Sequence, residues 1–451
     1  MEESTTEVTN VFKRLAAHLA GNPATRSDES ELKTILEKLE YLPADETKPH
    51  ELRHHVALLE AAGRFPNLFQ LAAPDAPGVT FFGAEVSAAG IDSEHCHQAR
   101  SSASGAGLSL RQGFESCVGE GVEYLSQFET AQDRMQAIAI EDGLAAFDLP
   151  SRRMLSEFLR PLEGRGPDRI DWIEARQLSS GRSVPYPADL CLRRTPERSA
   201  FVPPFKLSSG CAAGPTFEAA ALHGMLELVE RDAASLWWKG GIRGRIVALE
   251  GHAIATAAAL VAQARGGTNT RRTWLLDITT DLGVPSIVAI SSRLDGSGFA
   301  CGLAARLTVQ SAVRSALMEM FQMELAYVVV EAKRQEGSAL NEYDLRHIAR
   351  STRVDTASCE LLHPAAPGRQ VTEIIAETPT QQLEALVERF SAKGIETFAM
   401  DLTRPTFAIP VVRIAAPALQ MEPCEIATER LTSARNRTGG GETYTRGITL
   451  L

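Results

Sequence analysis

The chain has 451 residues, of which 44% are hydrophobic, so it can bury a large core and exceeds the length of one typical domain. Its net charge of −11, with no basic stripe, argues against nucleic acid as the main partner. No apolar run reaches the ~20 residues that span a bilayer, and the acidic start does not resemble a signal peptide. The seven cysteines are scattered and form no CxxC pair, which predicts free thiols in a reducing cytoplasm.

The first part of the chain, residues 1–75, predicts a small helical region. Apolar residues recur at helical spacing in three segments, 7–20, 31–42 and 49–63. The composition then shifts around Pro74 and Pro77, so we place a domain boundary near residue 75.

The remainder predicts a larger α/β domain over residues 76–435. Short β-branched or apolar runs bounded by Gly, Pro and Asp are typical of buried strands, and they cover 272–281, 285–294, 396–404 and 408–417. Residues 126–190 are interpreted as a mostly helical excursion. Three consecutive glycines, Gly439 to Gly441, predict a flexible tail over 436–451.

Three segments repeat one pattern: a polar residue, a Glu four positions later, and a carboxylate or amide three beyond that. The three sets are Ser116, Glu120 and Glu123; His223, Glu227 and Glu230; and Ser315, Glu319 and Gln322. At about 100° per helical residue these positions fall within about 60° of one another, so each segment predicts a helix with one polar stripe. The other faces are apolar and can pack into a core.

Two interpretations of these stripes remain open. Each stripe can be the solvated outer face of an amphipathic helix, which is what solvation alone produces. If the three stripes converge, they bring at least five carboxylates into one cleft, and such a cluster needs cations to offset its repulsion. Mg²⁺ carrying a nucleotide triphosphate would supply that charge.

A glycine-rich stretch, residues 208–216, precedes the second of these helices. Its backbone N–H groups could bind a phosphate, or Thr216 could simply cap the helix. The sequence leaves both interpretations open.

Four segments, in the order 104–126, 208–233, 302–322 and 401–420, resemble the YcaO family. The resemblance implies a YcaO-type domain whose helices carry a carboxylate-lined nucleotide cleft. It implies ATP- and Mg²⁺-dependent activation of a backbone amide in a ribosomally synthesised precursor peptide, as in bacteriocin or natural-product biosynthesis. A Cys, Ser or Thr nucleophile gives an azoline, whereas sulfide or an amine gives a thioamide or amidine. A neighbouring TfuA-like gene would favour thioamide formation.

The resemblance also assigns roles to residues. It implies that the metal ligands are Glu120, Glu123, Glu227, Glu230 and Glu319, and that Arg231 contacts phosphate. Ser116 and Gln322 share the stripes of these ligands and complete the predicted nucleotide site.

Several positions depart from the family pattern. Ala106, Pro215, Ala219 and Ser315 stand where the family has Lys, Asn, Glu and Arg. Their absence removes contacts to phosphate, ribose or metal worth roughly 1 to 3 kcal/mol each. The alternative hypothesis is therefore a degenerate YcaO scaffold that positions peptide without efficient ATP use.

The predicted partners follow from the same resemblance. Residues 1–75 lack the strand-rich pattern of the usual leader-binding module, so a partner protein is expected to recognise the leader peptide. A flavin-dependent dehydrogenase is a further candidate in an oligomer or hetero-complex.

Overall fold

The computed structural model describes residues 2–21, 26–42, 46–89, 91, 97–164, 166–249 and 251–450. The α-helices in these residues are α1 (Glu2–Leu19), α2 (Arg26–Lys38), α3 (Pro49–Ala62), α4 (Leu110–Ser126), α5 (Ile140–Leu144), α6 (Leu149–Leu159), α7 (Phe217–Trp238), α8 (Gly251–Arg265), α9 (Val309–Gln335), α10 (Glu342–Arg353), α11 (Pro379–Ser391), α12 (Glu429–Thr438) and α13 (Glu442–Thr445). The β-strands are β1 (Asn67–Leu71), β2 (Thr80–Ser87), β3 (Arg100–Gly107), β4 (Met135–Ala139), β5 (Arg169–Gln177), β6 (Ser183–Pro187), β7 (Cys211–Ala213), β8 (Arg271–Asp277), β9 (Ser286–Arg293), β10 (Ala300–Ala305), β11 (Phe398–Asp401) and β12 (Val411–Ala415).

The strands form three antiparallel sheets. Their orders are β1-β2-β3, β10-β9-β8 and β4-β5-β11-β12-β7, with β6 added beside β5. The four predicted strands are β8, β9, β11 and β12, and the three acid-bearing segments are helices α4, α7 and α9. The predicted α/β fold class is confirmed. In the described part of the chain, no helix is both long and apolar enough to cross a membrane.

A strand followed by a capped helix occurs three times, as β3–α4, β7–α7 and β10–α9. Each helix begins after a Ser or Thr whose side chain accepts a backbone N–H of the first turn; these caps are Ser109, Thr216 and Thr308. The central glutamate lies 11 residues after the cap in every unit. Glu120 follows Ser109, Glu227 follows Thr216 and Glu319 follows Thr308 at this spacing. The three units therefore present their acids at the same depth along the helix.

Glycines allow two of these helices to lie directly on their strands. A Cβ atom at Gly105 of β3 would lie 2.2 Å from the backbone nitrogen of Cys117. A Cβ atom at Gly302 of β10 would lie 2.2 Å from the carbonyl oxygen of Ala316. A larger residue at either position would push the helix off the sheet.

The N-terminal helices α1 to α3 pack on the larger domain. Leu59 of α3 and Val118 of α4 are buried in one core. Residues 67–71 form β1, which pairs with β2, so the sheet of the larger domain begins before residue 75.

The interpretation of residues 126–190 as mostly helical is wrong. This stretch contains β4, β5 and β6 beside the short helices α5 and α6. In β5 the sequence RIDWIEARQ alternates largely between polar and buried apolar residues, with Ile170, Trp172 and Ala175 buried. A period of two indicates a strand, as β5 shows.

The prediction of a flexible tail is also wrong for the described residues. Ile448 and Leu450 are 9% and 0% exposed. Trp238 donates its indole N–H to the Ile448 carbonyl at 2.6 Å, and Arg350 donates to the Leu450 carbonyl. Gly439 and Gly440, with φ of 85° and 84°, make a turn that returns the chain to the core. Glycine permits this conformation, so the run serves as a turn here.

We predict that Leu450→Ala destabilises the protein by about 2 to 5 kcal/mol, because it leaves a cavity under a fully buried side chain. Urea unfolding measures the change. Ile375→Ala, at a position that is 80% exposed, is the matched control and should change stability little. Equal stability of Leu450→Ala and the parent would show that the tail is not docked.

Candidate functional site

The central glutamate of each unit is held by the strand segment that precedes its helix. In each case a backbone N–H donates to one carboxylate oxygen: Ser104 to Glu120 at 2.9 Å, Gly210 to Glu227 at 3.0 Å, and Leu303 to Glu319 at 2.9 Å. A hydrogen bond to a charged acceptor is stronger than a neutral one, worth about 1.5 to 3 kcal/mol. The same interaction therefore orients all three acids.

In two of the three stripes, the third residue links one unit to another. Glu123 of α4 accepts the backbone N–H of Ala213, in β7, at 2.8 Å. Gln322 of α9 donates to the Ser104 hydroxyl, in β3, at 2.6 Å. These contacts bring the first unit against the second and the third against the first.

The five glutamates, here called the acid cluster, lie close enough to influence one another. Burial is the main cause that raises the pKa of Glu120, Glu123, Glu230 and Glu319, and the charge of Glu227 raises each of them further. One carboxylate therefore acts on four others that come from three helices. The structure brings together the glutamates that the sequence placed on separate stripes.

Without a cation, the acid cluster would not be fully ionised near neutral pH. Burial raises the pKa of Glu120 to about 7 and that of Glu230 to about 8. The pKa of Glu123 is raised well above its ordinary value for the same reason. Bound protons thus neutralise part of the negative charge that a cation would otherwise neutralise.

Arg231 lies among these acids. Its guanidinium contacts Glu227 at 3.2 Å and Glu230 at 3.5 Å. Its charge lowers the pKa of Glu230 and Glu319, against the larger effect of burial. The arginine predicted to contact phosphate is therefore bonded to carboxylates in this structure.

The donor set suits Mg²⁺ and a nucleotide, although the protein supplies only part of a coordination shell. Among the described residues, no three His, Cys, Asp or Glu side chains are grouped to hold an ion by themselves. The backbone bonds engage only one oxygen of Glu120, Glu123 and Glu319, so a second hard oxygen remains on each. Mg²⁺ is usually held by one or two carboxylates together with phosphate oxygens and water, and this arrangement fits that use.

The leading residues of the stripes lie one turn before each central glutamate. Ser116 and His223 are exposed, and Ser315 is half-buried. Desolvation by the surrounding protein, together with the charge of Arg306, lowers the pKa of His223.

Residues at or beside the positions that depart from the family pattern make structural contacts. Ala106 pairs with Phe81 in the first sheet and packs against an apolar cluster. Ala219 donates its N–H to the Thr216 side chain, so Thr216 is an N-cap. Arg314, next to Ser315, donates to Gln112 at 3.3 Å.

The structure adds residues that sequence reasoning missed. The backbone donors Ser104, Gly210 and Leu303 carry no side-chain signal, and only the fold reveals them. Arg306 was also missed, although its charge lowers the pKa of Glu230 and Glu319. The sequence does contain one signal of the repeated unit: each central Glu follows a Ser or Thr cap by 11 residues.

We expect Glu230→Gln to stabilise the ligand-free protein at high pH. The folded-state pKa of Glu230 is about 8 against an ordinary value of 4.5, so the folded state holds a proton that the unfolded chain has released. Stability from this group is present below about pH 4.5 and is lost as pH rises through 8. Thermal melting at pH 6 and pH 9, with the parent as control, should show a smaller decline for the variant. A steeper decline in the variant would contradict the proposed environment of Glu230.

A family model described as YcaO cyclodehydratase, ATP- and Mg²⁺-binding, matches residues 104–420, which is more than half of the chain. This description agrees with the expected cofactors, ATP and Mg²⁺.

Two curated relatives are similar to the chain in sequence. An uncharacterized protein of Methanothermobacter thermautotrophicus is 26% identical over 56% of this chain and 66% of its own length. A protein of Rhizobium leguminosarum bv. trifolii, described as lying in the tfuA 3′ region, is 27% identical over 57% and 62%. The chain thus spans slightly less than two thirds of the length of either relative.

Three solved structures share the fold. A heterocyclase in complex with substrate and cofactor has a TM-score of 0.67 and 22% identity, covering 86% of this chain and 55% of that one. YcaO from Methanopyrus kandleri, bound with AMPPCP and Mg²⁺, has a TM-score of 0.54 and 18% identity, covering 78% and 86%. The E. coli microcin synthetase McbBCD complex with pro-MccB17 bound has a TM-score of 0.54 and 14% identity, covering 78% and 88%.

Proposed function

The chain belongs to the YcaO family, and we propose that it uses ATP and Mg²⁺ to activate backbone amides in a ribosomally synthesised precursor peptide. Its expected product is an azoline formed by cyclodehydration at Cys, Ser or Thr. The observation that carries this proposal is the acid cluster, in which Glu227 acts on four other glutamates.

The chemistry requires the amide oxygen to become a good leaving group. ATP supplies the phosphoryl group that makes this possible once a nucleophile has added to the amide carbon. The chain's acids would hold Mg²⁺ through their free carboxylate oxygens and fix its position through the backbone bonds from Ser104, Gly210 and Leu303.

Arg231 has a second role in this proposal. Its guanidinium contacts both Glu227 and Glu230, and if these carboxylates held Mg²⁺, Arg231 would be free to donate to phosphate oxygens. Arg306 and Arg314 are nearby cations on the third unit and would replace part of what Ala106 and Ser315 lack. The departures from the family pattern would then weaken nucleotide binding without abolishing it.

Thioamide formation is the second candidate. The specific observation in its favour is that a relative is described as lying in the tfuA 3′ region. The acid cluster would activate the amide in the same way, and sulfide would replace the side-chain nucleophile.

The precursor peptide is the expected substrate, and a separate protein is expected to bring it. The solved heterocyclase contains a substrate and the E. coli relative is a complex with a pro-peptide, which supports a peptide substrate and a multi-subunit assembly. A flavin-dependent dehydrogenase remains a candidate partner for oxidising an azoline. All six cysteines in the described residues are free thiols, which favours a reducing cytoplasm.

We predict that Glu227→Gln lowers turnover by at least ~10²-fold, because it removes the charge that acts on all four other acids. The assay is phosphate release with precursor peptide and partner protein present. Glu218→Gln is the matched control, because Glu218 lies in the first turn of the same helix and lines a different cavity. It should retain the parent rate.

Thermal melting with Mg-ATP distinguishes the hypothesis of an ATP-using enzyme from that of a degenerate scaffold. A ligand that binds the folded state raises the melting temperature, and Glu227→Gln should lose most of that increase. No increase at millimolar Mg-ATP, together with unchanged turnover in Glu227→Gln, would favour the degenerate scaffold.

Mass spectrometry of the peptide distinguishes the products, since an azoline has lost one water and a thioamide has exchanged oxygen for sulfur.

A further inference from the structure

A second concave site lies apart from the acid cluster. This cavity, of about 760 Å³, is bounded by α6, α7, α12 and the loops that follow β8 and α11. None of the five glutamates lines it. Its Trp237 lies ten residues after Glu227 on α7, which is about 15 Å along the helix axis.

The lining of this cavity, here called the basic cavity, is positive in a chain whose net charge is −11. Seven cations face it: Arg153, Arg243, Arg245, Arg369, Lys393, Arg430 and Arg437. Three acids accompany them: Asp277, Asp281 and Glu429. This local reversal of charge would attract an anionic partner.

Two of the three lining acids, Asp281 and Asp277, are already engaged. Asp281 is paired with Arg430 at 2.7 Å, and Arg430 also contacts Asp232. The Asp277 carboxylate accepts the backbone N–H of Thr279. With Asp232 and Glu360, which pair with Arg430 and Arg243, five acids stand against the seven cations, so the cavity keeps a net positive charge.

Several cations have room for a further acceptor. Within the described residues, the side chains of Arg153, Arg245, Lys393 and Arg437 make no ion pair or hydrogen bond. Arg243, by contrast, is already paired with Glu360 at 2.7 Å. The four unpaired side chains can donate to a bound carboxylate without losing an existing partner.

The distribution of these cations favours an extended ligand over a single small anion. Arg153 is on α6, Arg437 is on α12, Lys393 follows α11, and Arg245 lies between α7 and α8. Charges that surround a cavity suit several carboxylates spaced along a chain, whereas one phosphate needs donors that converge on one point.

The floor of the cavity is apolar. Trp237, Leu236 and Ile395 line it, and Leu149 at its edge is 60% exposed. Trp237, Leu236 and Ile395 are already buried, so a ligand with apolar side chains between its carboxylates would gain contact mainly with Leu149. This combination describes a peptide rather than a sugar or a nucleotide.

We propose that the basic cavity binds an acidic peptide segment that also carries apolar side chains. The proposal goes beyond the proposed function and does not require ATP use. A peptide held here would be bound about 15 Å along α7 from Glu227 of the acid cluster. The peptide-binding site and the catalytic site would then lie at different positions along the same helix.

The test is fluorescence anisotropy with a labelled peptide of repeated Glu-Glu-Leu and the full chain, without Mg-ATP. The peptide should bind, and its counterpart with Gln in place of Glu should bind at least about tenfold more weakly. Charge reversal at the edge of the cavity, Arg153→Glu with Lys393→Glu, should weaken binding by a similar factor, because both side chains are exposed and unpaired. Omitting Mg-ATP separates this result from any failure of the proposed activity.

The matched control is Lys33→Glu with Lys38→Glu, which makes the same charge change on exposed positions of α2. Equal weakening in the control would reduce the effect to overall charge and overturn the proposal. Displacement of the peptide by millimolar inorganic phosphate would show a small-anion site instead. Failure of the acidic peptide to bind, or equal binding of the Gln counterpart, would also overturn it.

Discussion

The structure depends on how it holds negative charges near one another. Burial raises the pKa of four glutamates, and the charge of Glu227 raises each of them further. Such an arrangement is unfavourable unless hydrogen bonds, a cation or protons offset it. The protein supplies all three: backbone N–H groups from the strands, Arg231 between two acids, and protons on the residues whose pKa is raised to 7 or 8.

The three strand-to-helix units follow from this requirement. A backbone N–H reaches the carboxylate only if the helix lies very close to the strand, and Gly105 and Gly302 permit that distance. The Ser and Thr caps fix where each helix begins, and therefore which residue meets the strand. An anionic cluster that is already oriented would bind a metal–nucleotide complex with little rearrangement, which is the advantage of preorganisation in phosphoryl transfer.

The chain also separates charges of opposite sign. Acids gather where the three helices meet, whereas the cations of the basic cavity lie near the C-terminal end of α7 and beyond it. The proposed Mg-ATP site and the proposed acidic-peptide site therefore lie in different parts of the fold. If the two sites merged, the cations would neutralise the ligands intended for the metal.

The docked C-terminus shows how a local pattern can mislead. Three glycines are typical of a mobile linker, but Gly439 and Gly440 adopt positive φ values and direct Ile448 and Leu450 into the core. The error at β5 is of the other kind. Its alternating residues indicate a strand, which a helical interpretation of 126–190 does not accommodate.

The sequence by itself determined the helices α4, α7 and α9, the acids on their polar stripes and the family. Helical periodicity and capping are local properties, so residues such as Glu227 and Thr216 could be placed without a structure. Only the tertiary structure decided that the stripes converge, that Ser104, Gly210 and Leu303 hold the acids, and that Arg231 pairs with two of them. Those contacts join residues far apart in the chain through backbone atoms, which look the same in every residue type, and a sequence pattern carries no record of them.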